Sequence, residues 1–518
     1  MEEDIFDFIE ETQVEINEQQ PATTLEELKR LLSRAGKQWK EEHATEKQNK
    51  ETGAIEKIVP RVPPRKVADI LSKECQFILI DEDNPELAPL AVYDLDNGIY
   101  QKGERFINRL SMSVERSLTL QQCNTIRHYL TTESEEKQRT TDKNLIVVNN
   151  GIYNRITQRL EPFSSEYVFV NKIATDYIEN ATEPYFRDWN FSNWIKELSD
   201  GNASKEKLLW QLFAVAINAN YVSEIAVFFL SEDGKTGKST FQRLISNLVG
   251  SSNTSSLKIK EFESDFKLAS AYGKSLVIGD DNNPKDFNET SENFKSVVTG
   301  DNVLLNPKGR EPFSTTLTPF VIQSMNGLPR FRDISDGLQR RLRIIRFNHV
   351  YKGDKNNREI KEKYIYDKRL LQFILYQAIN MEFVEVEDTA ESKEAVYELV
   401  LENNSVLSFF EDKFQELESE RLPMKFLFKF FQAYCDYENQ PTGMKQNSFS
   451  KEMKGVAERN GWKYQRNNLA PLHFFYQSDI QRLAELDIHY KYRYDVATNK
   501  KQPILERQQS NKRQQSEK

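Results

Sequence analysis

The stretch from Ile225 to Gly250, IAVFFLSEDGKTGKSTFQRLISNLVG, fixes three local conformations in one order. IAVFFL is a continuous apolar run of strand type, and after Lys238 the residues Phe241, Leu244, Ile245 and Leu248 recur at helical spacing. The glycine-containing turn between them delivers a strand end to a helix N-terminus, which aims backbone N–H groups and the positive helix end at phosphate oxygens. A phosphate loop also asks for a Gly separated from Gly-Lys-Ser/Thr by four residues, and Glu232 stands there instead. That position mainly needs backbone shape, and its side chain is free to face solvent. A bare Gly-Lys-Ser/Thr triplet arises by chance roughly once in every few chains this long. The alternative is a plain Gly/Lys-rich turn, so the surrounding residues decide.

They favour phosphate. In such a loop Lys238 reaches the β- and γ-phosphates and the Ser239 hydroxyl holds Mg²⁺. GKSLVIGDDNN places Asp280 and Asp281 at the end of an apolar strand. An acidic residue at the tip of the neighbouring strand orients the metal, and an adjacent carboxylate polarises the attacking water. Asp280 is assigned to the metal and Asp281 to the water, against the reading of DDNNP as a polar turn. TPFVIQSMNGLPRF ends another apolar strand with Asn326, an amide able to hold that water. In DGLQRRLRIIRF the arginines Arg340, Arg341 and Arg343 precede an apolar pair, so at least one points away from the core. Such an arginine can stabilise transition-state charge in a neighbouring subunit, or can be a solvated helix end.

Charge and cysteine content set the limits. The 518-residue chain has room for two to four domains. Its net charge of −9 does not attract polyanions as a whole, so any nucleic-acid contact needs a local basic element. Cys75, Cys123 and Cys435 are far apart and form no C-x-x-C pair, which argues against a disulfide framework or zinc ribbon and for a reducing, cytoplasmic setting. The run Ile225 to Leu230 is too short to span a bilayer, and Met1 to Glu10 is acidic where a signal peptide is basic, so no membrane is expected.

Six regions are expected. Residues 1–66 are polar, helical or flexible, with Thr23 and Glu26 at capping-box spacing. KEEHATEKQNKETG reads as solvated helix or linker, and PRVPPRK as a boundary, since prolines exclude a regular helix. Residues 67–186 form a small α+β domain, 187–224 a helical lead-in, and 225–400 the α/β core with its following helices. Residues 401–495 form a C-terminal unit of helix, helix and strand pair. The Gln/Lys-rich tail 496–518 is expected to be disordered. No internal repeat is visible.

The order GKTGKSTF, SLVIGDDN, VVTGDNVLLNPKGREPFSTTLTPFVIQSMN and SDGLQRRLRIIRF resembles the superfamily 3 helicases, in particular the helicase half of phage and plasmid primase-helicases with the poxvirus-type layout. A weaker resemblance covers most of Ala68 to Tyr492. The family implies an AAA+-like core in a hexameric ring that hydrolyses ATP with Mg²⁺ and translocates on single-stranded DNA, usually 3′ to 5′, opening forked DNA in a bacterial host's cytoplasm. Carried over by position, Gly234, Lys235, Thr236, Gly237, Lys238, Ser239 and Thr240 form the nucleotide loop. Asp280 and Ser239 take the metal, Asp281 and Asn326 the water, and Arg341, with Arg340 as alternative, supplies the arginine finger. NPKGREPF matches the pore hairpin, with Lys308 tracking DNA and Arg310 helping. Gly309 stands where the family often has an aromatic or His, which favours phosphate contact over base stacking. Six copies of Lys308 and Arg310 place about twelve positive charges around one channel, which reconciles strand binding with an acidic exterior.

NSFSKEMKGVAERNGWKYQRNN supplies a second basic set, Lys451, Lys454, Arg459, Lys463 and Arg466, on a helix, turn and strand that suit a winged helix. A small domain that only packs on its neighbour fits equally. Asp94 and Asp96 have the D-x-D spacing of a two-metal polymerase. No histidine has a Ser two residues before it, and no zinc-binding set is present, so DLDNG reads as a turn and the chain as a helicase without an intact primase. A separate primase or origin-binding protein is a possible partner. The competing readings are a P-loop kinase of small molecules, which has no use for Lys308 or the arginine pair, and a DNA-binding initiator whose ATPase serves assembly.

Overall fold

A computed structural model describes residues 21–48, 55–81, 88–284, 286–288, 290–309, 311–331, 334–352, 357–382, 385–438, 442–471, 473–486 and 500–508. The chain divides into two compact units, Met1–Pro329 with Ser335–Lys393, and Arg330–Ile334 with Glu394–Lys518.

The first unit begins with helix α1 (Leu25–Glu42), which starts one residue later than the spacing suggests. Thr24 is the N-cap and exchanges bonds with Glu27, while Thr23 adds its own N–H and hydroxyl to the same carboxylate. That register buries Leu28 and Leu32. Within the expected solvated helix or linker, Thr45–Gln48 is a strand, β1, that pairs antiparallel with β2 (Ile55–Ile58) and sets the β-branched Thr45 opposite Ile58, while residues 49–53 of that stretch lie outside the described residues. The prolines do not exclude a helix. Pro63 is the N-cap and Pro64 the first residue of α2 (Pro64–Glu74), where a missing N–H costs nothing. Val62, Val67 and Leu71 share one core with Leu28 and Leu32, so α1 and the start of α2 are built into the α+β region.

That region holds a four-stranded sheet, including β3 (Leu90–Asp94) and β4 (Ile99–Gln101), and a three-stranded one. Asp94 closes the turn between β3 and β4, accepting from the Asp96 and Asn97 N–H groups and from Asn97 Nδ2, as DLDNG suggested. The helical lead-in is α3 (Phe191–Leu198) and α4 (Ala203–Ala216).

The core is a five-stranded, wholly parallel sheet. In chain order its strands are β5 (Ala226–Leu230), β6 (Thr254–Ser256), β7 (Leu276–Asn282), β8 (Phe320–Met325) and β9 (Leu342–Arg346). In space they run β6, β7, β8, β5, β9. The acidic strand β7 is therefore not the neighbour of the loop strand β5, as expected; β8, which leads to Asn326, lies between them. Helix α5 (Lys238–Val249) covers the sheet through Phe241, Leu244, Ile245 and Leu248, all buried, and Phe213, Phe229 and Phe347 complete that layer. Between β7 and β8 the chain forms an antiparallel hairpin of β10 (Asn302–Leu305) and β11 (Phe313–Thr316), so NPKGREPF is a hairpin connection.

In the second unit, helices α6 (Met424–Tyr437) and α7 (Gln446–Arg459) pack with a three-stranded antiparallel sheet ordered β12 (Arg421–Pro423), β14 (Gln502–Arg507), β13 (Trp462–Asn468). Strand β14 corrects the expectation of a disordered tail over its own span. The polar composition hides the pair Ile504 and Leu505, both fully buried between β12 and β13.

Candidate active site

The loop after β5 turns through two left-handed residues, Lys235 (φ 61°) and Gly237 (φ 84°), before α5 begins at Lys238. Gly237 is required twice over: its φ disfavours a side chain, and a Cβ there would lie 2.9 Å from Leu198 Cδ2. Thr236 is buried against Ser231, hydroxyl to hydroxyl at 3.1 Å, which closes the loop internally. Glu232 is exposed, as its position in the pattern required, and so are Gly234 and Ser239.

Lys238 is the buried member of the loop, and its ammonium donates to Met325 O at 2.6 Å and to Asn326 Oδ1 at 2.7 Å. Burial lowers its pKa, and the Asp280 and Asp281 carboxylates oppose that shift. Asn326 Nδ2 donates in turn to Asp281 Oδ1 at 3.2 Å. Lys238, Asn326 and Asp281 thus form a chain of polar contacts from the loop to the acidic strand end. Asp280 is held separately by the Ser324 hydroxyl at 2.6 Å, and the same hydroxyl accepts from the Asp281 N–H at 3.2 Å.

Consecutive residues of a regular strand face opposite ways, yet both carboxylates line one cleft. The pairing of β7 with β8 shifts register between Gly279 and Asn282, and Asp281 takes a left-handed φ of 53°. Asn282 pins this bulge, donating to Gln323 Oε1 and Ser324 O and accepting from the Ile259 N–H. Lys258 Nζ adds a bond to Asp281 O at 3.0 Å.

The cleft encloses ≈ 630 Å³ and is lined by residues 233–240 of the loop, by Asp280, Asp281, Ser324 and Asn326, and also by Trp194, Tyr351, Asn357, Arg358 and residues 360–362. A buried ammonium, an exposed serine hydroxyl and two carboxylates around such a space suit a polyphosphate with a hard divalent cation. Ser324 was not anticipated from sequence, although it lies near the end of β8, two residues before Asn326, and both line the cleft. Trp194 and Tyr351 had no local signal.

Other expected residues lie elsewhere. Arg340 is exposed and Arg341 half-buried, with Nη1 donating to Gly337 O at 2.6 Å and Nε buried without a hydrogen-bond partner among the described residues. Neither lines this chain's own cleft. Lys308 is exposed in the connection between β10 and β11, next to Gly309 at φ 76°, and Arg310 lies outside the described residues. In the second unit Lys451 and Lys454 of α7 line a separate cleft of ≈ 560 Å³ with Lys425 and Tyr464, and Lys454 Nζ sits 5.1 Å from the Tyr464 ring centre. Arg459, Lys463 and Arg466 are exposed outside that cleft. Among the described residues no group of His, Cys, Asp and Glu is arranged to hold a metal unaided, and no helix is long and apolar enough to cross a membrane.

Comparison with known proteins gives family matches in three parts of the chain. Residues 17–197 match the family described as D5 N terminal like, residues 229–341 a family of unknown function (DUF5906), and residues 401–493 the family described as Poxvirus D5 protein-like. Two solved apo structures of the NrS-1 C-terminal region are similar at a level too slight to support an argument. One is 14% identical with a TM-score of 0.44, covering 71% of this chain and 89% of its own; the other is 11% identical with a TM-score of 0.46, covering 86% and 100%. Matches to D5-type families thus lie both before and after the residues of the parallel sheet in the sequence.

Proposed function

We propose that this protein is an ATP-dependent DNA helicase of the superfamily 3 type, serving the replication of a phage, plasmid or related mobile element as a hexameric ring on single-stranded DNA. The observation that carries the reading is the convergence of Lys238, Asp280, Asp281 and Asn326 on one cleft beside an exposed helix start. The D5-like flanks support a role in replication.

In this reading the N–H groups at the start of α5 and the Lys238 ammonium bind the phosphates of ATP. Ser239 and Asp280 would hold Mg²⁺, which would supply neutralisation of charge on the phosphate oxygens. Ser324 fixes the orientation of Asp280 through the 2.6 Å bond. Asp281 takes the proton of the attacking water, and Asn326 holds that water while keeping Asp281 and Lys238 in register. Arg340 or Arg341 serves the cleft of the adjacent subunit in an AAA+-like ring. Lys308 and Arg310 contact the strand in the pore, and the second unit, with Lys451, Lys454, Arg459, Lys463 and Arg466, contacts duplex DNA as a winged helix.

ATPase turnover with and without single-stranded DNA, on wild type and on Lys308→Ala, with mass photometry, tests this. A hexamer whose turnover rises with DNA, with the rise lost in Lys308→Ala and basal turnover kept, is the expected result. Hydrolysis by a monomer indifferent to DNA would sink the helicase reading and favour a small-molecule kinase.

A further inference from the structure

Besides the loop and the carboxylates, the cleft has a further set of lining residues. Trp194, Tyr351 and Ile360 are 3%, 8% and 9% exposed, and Arg358, Lys361 and Glu362 line the cleft with them. A Cβ placed on Gly237 would lie 3.5 Å from Tyr351 Cε2 and 3.6 Å from Trp194 Cζ2, so both rings lie directly beside the loop's last turn. The Tyr351 N–H donates to Lys235 O at 3.0 Å, tying Tyr351 to the loop itself.

The walls come from segments distant in sequence. One is the segment that runs into α3, and the other is the stretch after β9 that includes the short helix α8 (Arg358–Glu362). Asp188 joins them, accepting from Asn357 Nδ2 at 2.8 Å and from the Tyr364 hydroxyl at 2.9 Å. The Tyr364 ring stacks on Phe186 at 4.4 Å and on Trp189 at 5.7 Å. The Asn357 Oδ1 also accepts from the Glu359 N–H, so the same amide caps α8 and holds Asp188.

We infer that Trp194, Tyr351 and Ile360 form the surface on which the base of a nucleoside triphosphate lies, with Asp188 as the positioning residue that holds the two walls together. This rests on the nucleotide reading above and adds where the base goes. A site for bare polyphosphate needs only the loop and the carboxylates. A planar, apolar base gains from an aromatic floor adjoining the first phosphate contacts.

The test compares ATP with inorganic tripolyphosphate, each with Mg²⁺, by titration calorimetry and intrinsic tryptophan fluorescence on the full chain. Wild type is expected to bind ATP at least about tenfold more tightly than tripolyphosphate, the scale of one stacked base. ATP alone should change the fluorescence. Tyr351→Leu, which removes the ring, and Asp188→Asn should retain tripolyphosphate binding, which doubles as the folding control, and lose most of the preference for ATP. Equal wild-type binding of both ligands, with the same fluorescence response, overturns the base site and leaves the phosphate loop standing. Binding of neither overturns the nucleotide reading as well. A preference for ATP that survives both substitutions also overturns the assignment.

Discussion

Glu115 is a buried carboxylate whose ionisation is set by its donors, and its replacement by Gln gives a quantitative test of how the D5 N-terminal-like region is held together. Its side chain is 4% exposed. Burial alone would raise its pKa, but four donors reverse the sign: Lys40 Nζ at 2.7 Å, the Ser117 N–H at 3.0 Å, the Val62 N–H at 3.1 Å and the Ser117 hydroxyl at 2.8 Å. The result is a pKa lowered from 4.5 to about 2. A difference of that size corresponds to about 3 kcal/mol favouring the folded, ionised form. Because the folded value is depressed, this stability is complete above pH 4.5 and is lost as pH falls from there through about 2. In Glu115→Gln the charge is gone and the amide NH₂ is turned toward donors, so the loss at pH 7 should approach the same figure. Native-state hydrogen exchange reads this locally, which matters in a chain of several regions where one global unfolding energy has no meaning. Protection of amides in α1 and around Val62 should fall about a hundredfold in the variant at pH 7, and the gap should close as pH approaches 2. A gap smaller than about threefold at pH 7, or one that does not change with pH, would refute the assignment of this stability to the Glu115 charge.

Three further outcomes are expected. Gly237→Ala should cost about 1–2 kcal/mol through its left-handed backbone alone, with the contact against Leu198 added, and should lower both the melting temperature and ATP affinity. An unchanged calorimetric titration with ATP would contradict this. Asn326→Ala cuts the link between Lys238 and Asp281, so kcat should fall about a hundredfold with ATP affinity within roughly threefold of wild type, as steady-state ATPase kinetics and equilibrium binding would show. Ile504→Asp buries a charge between β12 and β13 and should destabilise the second unit by about 3 kcal/mol or more. Limited proteolysis should then cleave that unit first, and resistance equal to wild type would mean that β14 is dispensable.

The legible features were those whose cause is local. The loop could be read because a buried strand, a glycine turn and an amphipathic helix follow one another without a gap, and each leaves its own period in the sequence. The α1 cap was misplaced by one residue because Thr23 and Thr24 both precede acidic residues at the right spacing; only the burial of Leu28 and Leu32 chooses between them. The tail was misread for the opposite reason: a composition averaged over many Gln and Lys residues conceals one apolar pair, and that pair is enough to add a strand to a sheet already present. Trp194 and Tyr351 escaped notice because each is an ordinary core aromatic by its neighbours in sequence, and their shared role exists only where Asp188 brings two segments together.

The paired aspartates fall between these cases. Naming Asp280 and Asp281 for one site was a statement a regular strand forbids, since adjacent side chains leave on opposite faces. Both side chains nevertheless line one cleft, because the β7–β8 ladder slips at this point. Nothing in GDDNN by itself signals the slip: it depends on Gln323 and Ser324 of another strand, whose side chain and carbonyl take the Asn282 amide. Gly279 is part of the same device, because a Cβ there would lie 1.8 Å from Gln323 Oε1. The two carboxylates therefore owe their joint position to a neutral Gly and Asn on either side of them, and those flanking residues do as much to make the site as the charges that drew attention to it.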